Sequence, residues 1–383
     1  MLCLVRQANR VILEVECDHK AKGQECLDKV CQMLGIIEVD YFGLQYAGQN
    51  GNMLWLNMRN QIKQQMAGTN APPFRFQLKV KFFVPPHLLL QEVTRHQFYI
   101  SILQDLQEGR LRVNDKQLAV KLSALVAQSE IGDYDSQLNS CWTMSSITHV
   151  LNNSDFSSLT NSVIQFHQKL EGTKPTHAKY LFLQEVANLD DIGVEYFYVK
   201  LNNSTEDPYR IGVGPKGVTI THEESNEIKF NILYSSIHMA THSGRCFFLT
   251  HIESNGESPT LGFKLESGLA ANAIYRAVTE KHAFYSCETV RNAVTTQFIR
   301  DLKGTIVSLF NENTQLGKNY VFDIRRTCRE VYDHTRRELY QLEAIANDTN
   351  QSEDAKEMIN NEFCLEFDHS GSDSSLCKKS HCN

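Results

Sequence analysis

Glycines at Gly212, Gly214 and Gly217 have the spacing GxGxxG, which in a nucleotide-binding turn lets bare backbone amides approach a pyrophosphate at the start of a helix. Here Val218, Thr219, Ile220 and Thr221 follow. These alternating, β-branched residues predict a strand, so the glycines and Pro215 belong to a hairpin and no nucleotide is expected. The 11 cysteines are scattered singly from Cys3 to Cys382 with no CxxC pair, a pattern of reduced thiols. Cys26 and Cys31 fall near or within an amphipathic helix, where they are expected as small buried hydrophobes. The 14 histidines show no metal-ligand spacing, and His96 and His282 are expected to be structural. The chain has no GxSxG, HExxH, P-loop or helix-borne carboxylate pair. No catalytic residue, metal or cofactor is expected. The Asn-x-Ser/Thr triplets at Asn152, Asn202, Asn203 and Asn347 are expected in surface loops, since they would be glycosylated only in a secreted protein.

The elements that must position any binding residue fall into blocks. With 383 residues, two or three cores are expected. A composition 42% hydrophobic and 22% charged is that of folded globular chains. A net charge of -7 argues against a generally basic nucleic-acid binder. No apolar run is long enough to cross a bilayer, and Arg6 and Arg10 interrupt the amino-terminal one, so a cytoplasmic location is expected.

Val11 to Glu16 alternates like a strand, and Leu27, Val30, Cys31 and Leu34 then form a helical stripe that Gly35 ends. Segments around Phe42 to Tyr46, Leu54 to Leu56 and Phe74 to Phe83 complete a β, β, helix, β, β, β order resembling ubiquitin. Pro85 and Pro86 mark a boundary. From Gln91 to about Asp190 the period is helical, with a polar excursion from Gly132 to about Asp155. Beyond Gly193, seven short strands are expected from Glu195 to Leu265, closed by a helix over Gly268 to Tyr285, the element order of a pleckstrin-homology or phosphotyrosine-binding (PH/PTB-like) sandwich. Two helical stretches follow, one through Val290, Val294 and Phe298 and the other through Ile324, Cys328 and Val331, both expected to pack on the third block. The tail after Ala346 is too polar to repay the cost of ordering it.

Particular words point to a family. IIEVDYFGLQY from Ile36, KFFVPPHLLLQEVTRH from Lys81, YRIGVGPKGVTI from Tyr209 and TEKHAFY from Thr279 resemble the three lobes of the FERM superfamily. Outside that pattern, MLCLV, RDLKG and GKNYVFDIRRTCREVYDHTRRELY resemble its branch of receptor-degrading ubiquitin ligases, the myosin regulatory light chain interacting proteins. The resemblance implies an α+β multidomain cloverleaf. Its parts would be a ubiquitin-like lobe (1–84), an all-helical acyl-CoA-binding-protein-like lobe (85–191), a PH/PTB-like sandwich (192–286), a helical extension (287–345) and a disordered tail (346–383). It also implies an adaptor that docks cytoplasmic tails of lipoprotein-type receptors as the substrate-recognition part of a RING-type ligase family. The alternative is a scaffold joining membrane proteins to actomyosin. In this branch a RING holds two zinc ions and recruits a ubiquitin-conjugating enzyme. Cys364, Cys377, His381 and Cys382 offer at most four ligands, too few for two tetrahedral sites, so this chain alone is not expected to be a ligase.

The same resemblance implies where ligands would sit. A sandwich of this type adds an extended peptide to its fifth strand beside the final helix. On that strand the candidates are Ile237, Met239 and Thr241. On the helix, Ala270, Ile274, Ala277 and Val278 are expected in the core, while Gly268, Asn272, Tyr275 and Thr279 form a neighbouring stripe lining the groove. Tyr275 would be its aromatic anchor. Inner-leaflet phosphoinositides are a candidate partner of Lys79 and Lys81 at the end of the first lobe, and of Arg325 and Arg329 on the last helix. A plain solvated face is the other expectation for these cations. Myosin light chain is a further implied partner. The implied place of action is the plasma membrane or the endosome.

Overall fold

The structure, a computed structural model, describes residues 1–48, 52–67, 72–135, 156–201, 208–291 and 324–349. The expected helix through Val294 and Phe298, most of the excursion before Asp155, and the tail beyond 349 lie outside those residues, as do Cys364, Cys377, His381 and Cys382.

The first lobe pairs β1 (Leu2–Arg6) with β2 (Ile12–Glu16), followed by α1 (Gly23–Met33), β3 (Phe42–Ala47), β4 (Met53–Trp55), the short α2 (Ile62–Gln65) and β5 (Phe74–Val80). The sheet order is β2-β1-β5-β3-β4, with β1 and β5 parallel. The apolar stripe of α1 buries Cys26, Leu27, Val30 and Cys31 against that sheet, and Gly35 at φ +71° ends the helix in the left-handed conformation that glycine adopts without strain. Each fully buried leucine or valine contributes about 1.5–3 kcal/mol.

The second lobe consists of α3 (Glu92–Gln107), α4 (Lys116–Ile131), α5 (Phe156–Gln168) and α6 (Pro175–Val186). Asp115 caps α4 by accepting a hydrogen bond from the Gln117 amide at 2.9 Å, and Pro175 opens α6 where its missing N–H costs nothing. Phe98, Tyr99, Leu122, Leu125 and Phe182 join the core of the first lobe in one cluster. Glu38 ties the two lobes together. It is fully buried and accepts from the Leu90 and Gln91 amides at 2.9 and 3.1 Å, and burial pushes its carboxyl up to about 7.

The third lobe has a separate core. Its strands are β6 (Glu195–Leu201), β7 (Pro208–Val213), β8 (Gly217–His222), β9 (Ile228–Leu233), β10 (Ile237–Ser243), β11 (Cys246–His251) and β12 (Thr260–Lys264), followed by α7 (Gly268–Ser286). They form one sheet in the order β10-β11-β12-β6-β7-β8-β9. The glycine triplet is the β7–β8 hairpin. The Gly214 amide donates to the Gly217 carbonyl at 2.9 Å, and a Cβ on Gly217 would lie 2.3 Å from the Ile232 carbonyl oxygen. His96 lies 3.4 Å from the Lys179 ammonium and stacks on Tyr99, while His282 meets Tyr234 edge-on; both serve packing.

The extension departs from expectation. Ile324 and Val331 belong to the core shared by the first two lobes, so α8 (Cys328–Thr349) packs there and not on the sandwich alone. Charge explains the placement. Arg326 reaches Asp40 at 2.9 Å, and Arg325 reaches Asp28 and Asp40 at 3.5 Å each. A reciprocal cap starts α8: the Thr327 hydroxyl accepts from the Glu330 amide while the Glu330 carboxylate accepts from the Thr327 amide.

Candidate functional site: an open strand edge beside α7

β10 lies at one end of the seven-stranded sheet, and among the described residues its strand partner is β11 alone. Its other edge therefore offers backbone N–H and C=O groups to a further strand. α7 packs alongside β10 and β11, which makes this edge one wall of a cleft. The cleft closes at one end, where Gly268 passes so near the β10–β11 turn that a Cβ on it would lie 3.2 Å from the Gly244 carbonyl oxygen.

The register changes the expected lining. Ile237 pairs with His251, but Met239 pairs with Thr250, so the strand carries a bulge between them. Cross-strand partners share a face. Ala240 is opposite Leu249 and His242 opposite Phe247, and both of those partners are fully buried. Ala240 and His242 therefore face the helix together with Ile237, while Met239 and Thr241 turn to the other face with Thr250 and Phe248. One extra residue inverts the alternation beyond it, and nothing in the local sequence announces the bulge.

On the helix, Ile274, Ala277 and Val278 are in the core as expected, but Tyr275 joins them at 6% exposure, and Ala271 is fully buried. Residues 271, 274, 275 and 278 form the i, i+3, i+4, i+7 set that a helix packed on a sheet buries. Tyr275 is thus a core residue at the floor of the cleft, its ring centroid 5.0 Å from that of His242. Burial holds the His242 imidazole below its ordinary value, which keeps it neutral, with one donor and one acceptor. Asn272 and Thr279 are half-buried one turn to either side of Tyr275. The Thr279 hydroxyl donates back to the Tyr275 carbonyl at 2.8 Å. Gly268 is exposed. The groove stripe is therefore Asn272 and Thr279 above a Tyr275–His242 floor.

The candidate lipid-binding cations divide. Lys81 is 8% exposed and forms a 2.6 Å ion pair with Glu280, and its ammonium also lies 5.6 Å from the Trp55 ring centroid. Lys79 donates to Gln104 at 2.8 Å and pairs with Asp105 at 3.4 Å. Both point into contacts between lobes and present no free ammonium to a head group, because the strand face that looked solvated in sequence is covered by α3 and α7. Arg325 is held by Asp28 and Asp40, whereas Arg329 is 71% exposed and 3.7 Å from Glu288.

The words that mark the family turn out to touch one another. KFFVPP and TEKHAFY form the joint of the three lobes: Lys81 pairs with Glu280, Phe82 stacks on Phe284 with centroids 4.1 Å apart, and the Tyr285 hydroxyl donates to the Phe83 carbonyl at 2.9 Å. Lys281, 1% exposed, donates to the Gly193 and Val213 carbonyls at 2.9 and 2.8 Å and pairs with Glu195 at 2.9 Å. Glu195 also accepts from the Trp55 indole N–H at 3.0 Å.

An open sandwich edge beside a helix, held on two further lobes by such a joint, makes a three-lobed architecture. The chain matches the FERM N-terminal domain over residues 5–68, the FERM central domain over 84–197 and the FERM C-terminal PH-like domain over 203–293. It belongs to the FERM family. It is 28% identical over 288 residues to Protein 4.1 of Canis lupus familiaris, covering 74% of this chain and 34% of that protein. It is 29% identical over 292 residues to the human tyrosine-protein phosphatase non-receptor type 4, covering 74% and 30%. The chain thus spans about a third of the length of these curated relatives. Among solved structures, the FERM and C-terminal domain complex of Drosophila Merlin superposes with a TM-score of 0.64 at 21% identity, covering 77% of this chain and 99% of that one. The MyTH4-FERM MF2 domain of Dictyostelium discoideum myosin VII superposes at 0.58 with 16% identity, covering 74% and 58%. Both structural likenesses concern the fold.

Proposed function

We propose that this chain is a FERM adaptor that takes up the cytoplasmic tail of a membrane protein as an added strand on β10, in the cleft with α7, and so links that protein to the cortical cytoskeleton. The observation that carries the reading is the unpaired edge of β10 facing a helix across a floor of Tyr275 and His242. Main-chain bonds along such an edge supply affinity, and the half-buried side chains beside it select the sequence. Kinship with Protein 4.1 and the occurrence of the fold in myosins support the cytoskeletal half.

A second, finer reading is favoured by the extension. It lies beyond the FERM match, which ends at residue 293, and its Ile324 and Val331 dock in the core of the first two lobes. Its sequence resembles the myosin regulatory light chain interacting protein, the inducible degrader of the LDL receptor. In that reading the module chooses lipoprotein-type receptors for a RING ligase, at the plasma membrane or endosome.

Calorimetry with a synthetic lipoprotein-receptor tail peptide tests the groove. Asn272→Arg and Thr279→Arg place a bulky cation on its rim without touching the core, and each is expected to weaken binding about tenfold or more, on the order of 1.4 kcal/mol. Unchanged affinity in both folded variants sinks the assignment. The two readings diverge in cells: because this chain alone is not expected to be a ligase, an excess of it should compete with a RING-bearing form and raise the receptor level under the ligase reading, and should leave that level unchanged under the scaffold reading.

A further inference from the structure

Three sulfurs that are far apart in sequence meet inside the first lobe. Cys3 comes from β1, Cys17 from the residue after β2, and Cys26 from α1. Their Sγ atoms all lie within 4.8 Å of one another, and the residues are 0%, 5% and 0% exposed. Packing alone does not require this convergence. Cys31, five residues further along α1 and so on another side of the helix, is equally buried and stands outside the cluster. The triad differs in that its sulfurs, brought together from two strand ends and a helix, converge on one point with no other side chain of ligand type beside them among the described residues.

The surroundings suit an anionic cluster. The Met1 ammonium donates to the Cys17 carbonyl at 2.6 Å, and the Lys29 ammonium donates to the Glu16 carbonyl at 2.6 Å. Both ammonium groups therefore stand at the Cys17 end of the cluster. Metal–sulfur bonds of about 2.3 Å place the three sulfurs of a planar site roughly 4 Å apart, so a small inward shift would complete the coordination. Among the described residues the cluster contains three ligand-bearing side chains, with no His, Asp or Glu beside them. Zinc in a structural site takes four ligands. A closed set of three soft thiolates instead matches a soft monovalent ion.

We propose that Cys3, Cys17 and Cys26 form a three-sulfur site for Cu(I). Binding replaces the three thiol protons, which pass to solvent, and leaves the copper oxidation state unchanged. Two negative charges remain on the site, facing Met1 and Lys29. Because the sulfurs are buried, the ion enters during folding or a local opening of the first lobe, and binding from solution is slow.

The test is anaerobic loading of the full chain with Cu(I) buffered by bicinchoninate, during refolding and by prolonged incubation, read by near-ultraviolet sulfur-to-copper absorption and X-ray absorption. The expected result is one equivalent with three sulfur neighbours. It should be lost in Cys17→Val, whose apolar volume preserves packing, and retained in Cys31→Ser. It should also be retained when Cys364, Cys377 and Cys382 are all replaced by Ser. Should Cys17→Val not fold, the tail-substituted chain with its three-sulfur signature decides alone. Copper that disappears with the tail cysteines, a full equivalent in folded Cys17→Val, no uptake, or uptake of Zn(II) in preference to Cu(I) would each overturn the proposal.

Discussion

The two ends of α7 do opposite work. Its carboxy-terminal half, Glu280 to Tyr285, is locked into a joint where charges are buried and paired and aromatic rings are stacked across lobes. Its amino-terminal half flanks a strand whose outer edge has no strand partner among the described residues. The joint fixes geometry. The edge is left half-buried, so under the proposed docking a peptide would add to a rigid wall without first ordering it. In FERM architecture as this chain builds it, the residues that look most distinctive in sequence hold the lobes together, and the residues that would meet a ligand are ordinary.

The strongest way to break this comparison is at the joint. In Glu280→Ala, Lys81 loses its carboxylate partner at a buried position beside Trp55 and Phe82, and Arg276 loses the carboxylate to which it donates. Removing one member of a buried pair costs about 3–5 kcal/mol, to be measured by urea denaturation. The pH dependence has a definite sign. Burial pushes the Glu280 carboxyl up, but Lys81 and Arg276 outweigh it and hold the group down at about 2, against an ordinary value of 4.5. Its contribution is therefore complete above about pH 4.5 and is lost as pH falls through about 2. The variant should show a flatter stability profile across that window. Tail-peptide affinity should be unchanged while the protein stays folded, and a selective loss of binding would mean that joint and edge are one functional unit.

The next effect is at the floor of the cleft. Tyr275→Ala removes a buried ring that touches both the sandwich core and His242, and should cost about 2–4 kcal/mol of stability. This variant sharpens the boundary between the two regions. If stability is unchanged and only peptide affinity falls, Tyr275 belongs to the ligand and not to the core.

How much of this was legible in sequence depends on which physics set each feature. The seven strands of the third lobe and the span of α7 were visible because period-2 and period-3.6 patterns are local. The hairpin reading of Gly212, Gly214 and Gly217 followed from the β-branched run after them. The side on which Met239 and Thr241 fall was not visible, since a bulge moves every later residue across the sheet while leaving composition untouched. The partners of Lys79 and Lys81 were hidden because they come from other lobes, Gln104 and Asp105 on α3 and Glu280 on α7. Alternation with apolar residues shows which face a lysine takes, not what covers that face. The sulfur cluster was hidden for the same reason: Cys3, Cys17 and Cys26 are separated by turns whose path only the assembled sheet and helix define.

The smallest expected effect is at Arg329, which belongs to neither region. Lys79, Lys81 and Arg325 are engaged by acidic or polar partners on other elements, whereas Arg329, among the described residues, pairs with the 75%-exposed Glu288. A solvated pair of this kind contributes less than about 0.5 kcal/mol, so Arg329→Ala should leave the denaturation midpoint nearly unchanged. If the basic face of α8 approaches an anionic bilayer, the same side chain is worth about 1 kcal/mol there, roughly a fivefold loss of binding to vesicles containing phosphatidylinositol bisphosphate, and the loss should shrink as salt is raised. Lys81→Ala is the opposing control, expected to destabilise the fold while leaving the vesicle affinity of the folded fraction unaltered. If Lys81→Ala instead weakened vesicle binding as much as Arg329→Ala did, the joint would have to open at the membrane, and the division between a closed joint and an open edge would fail.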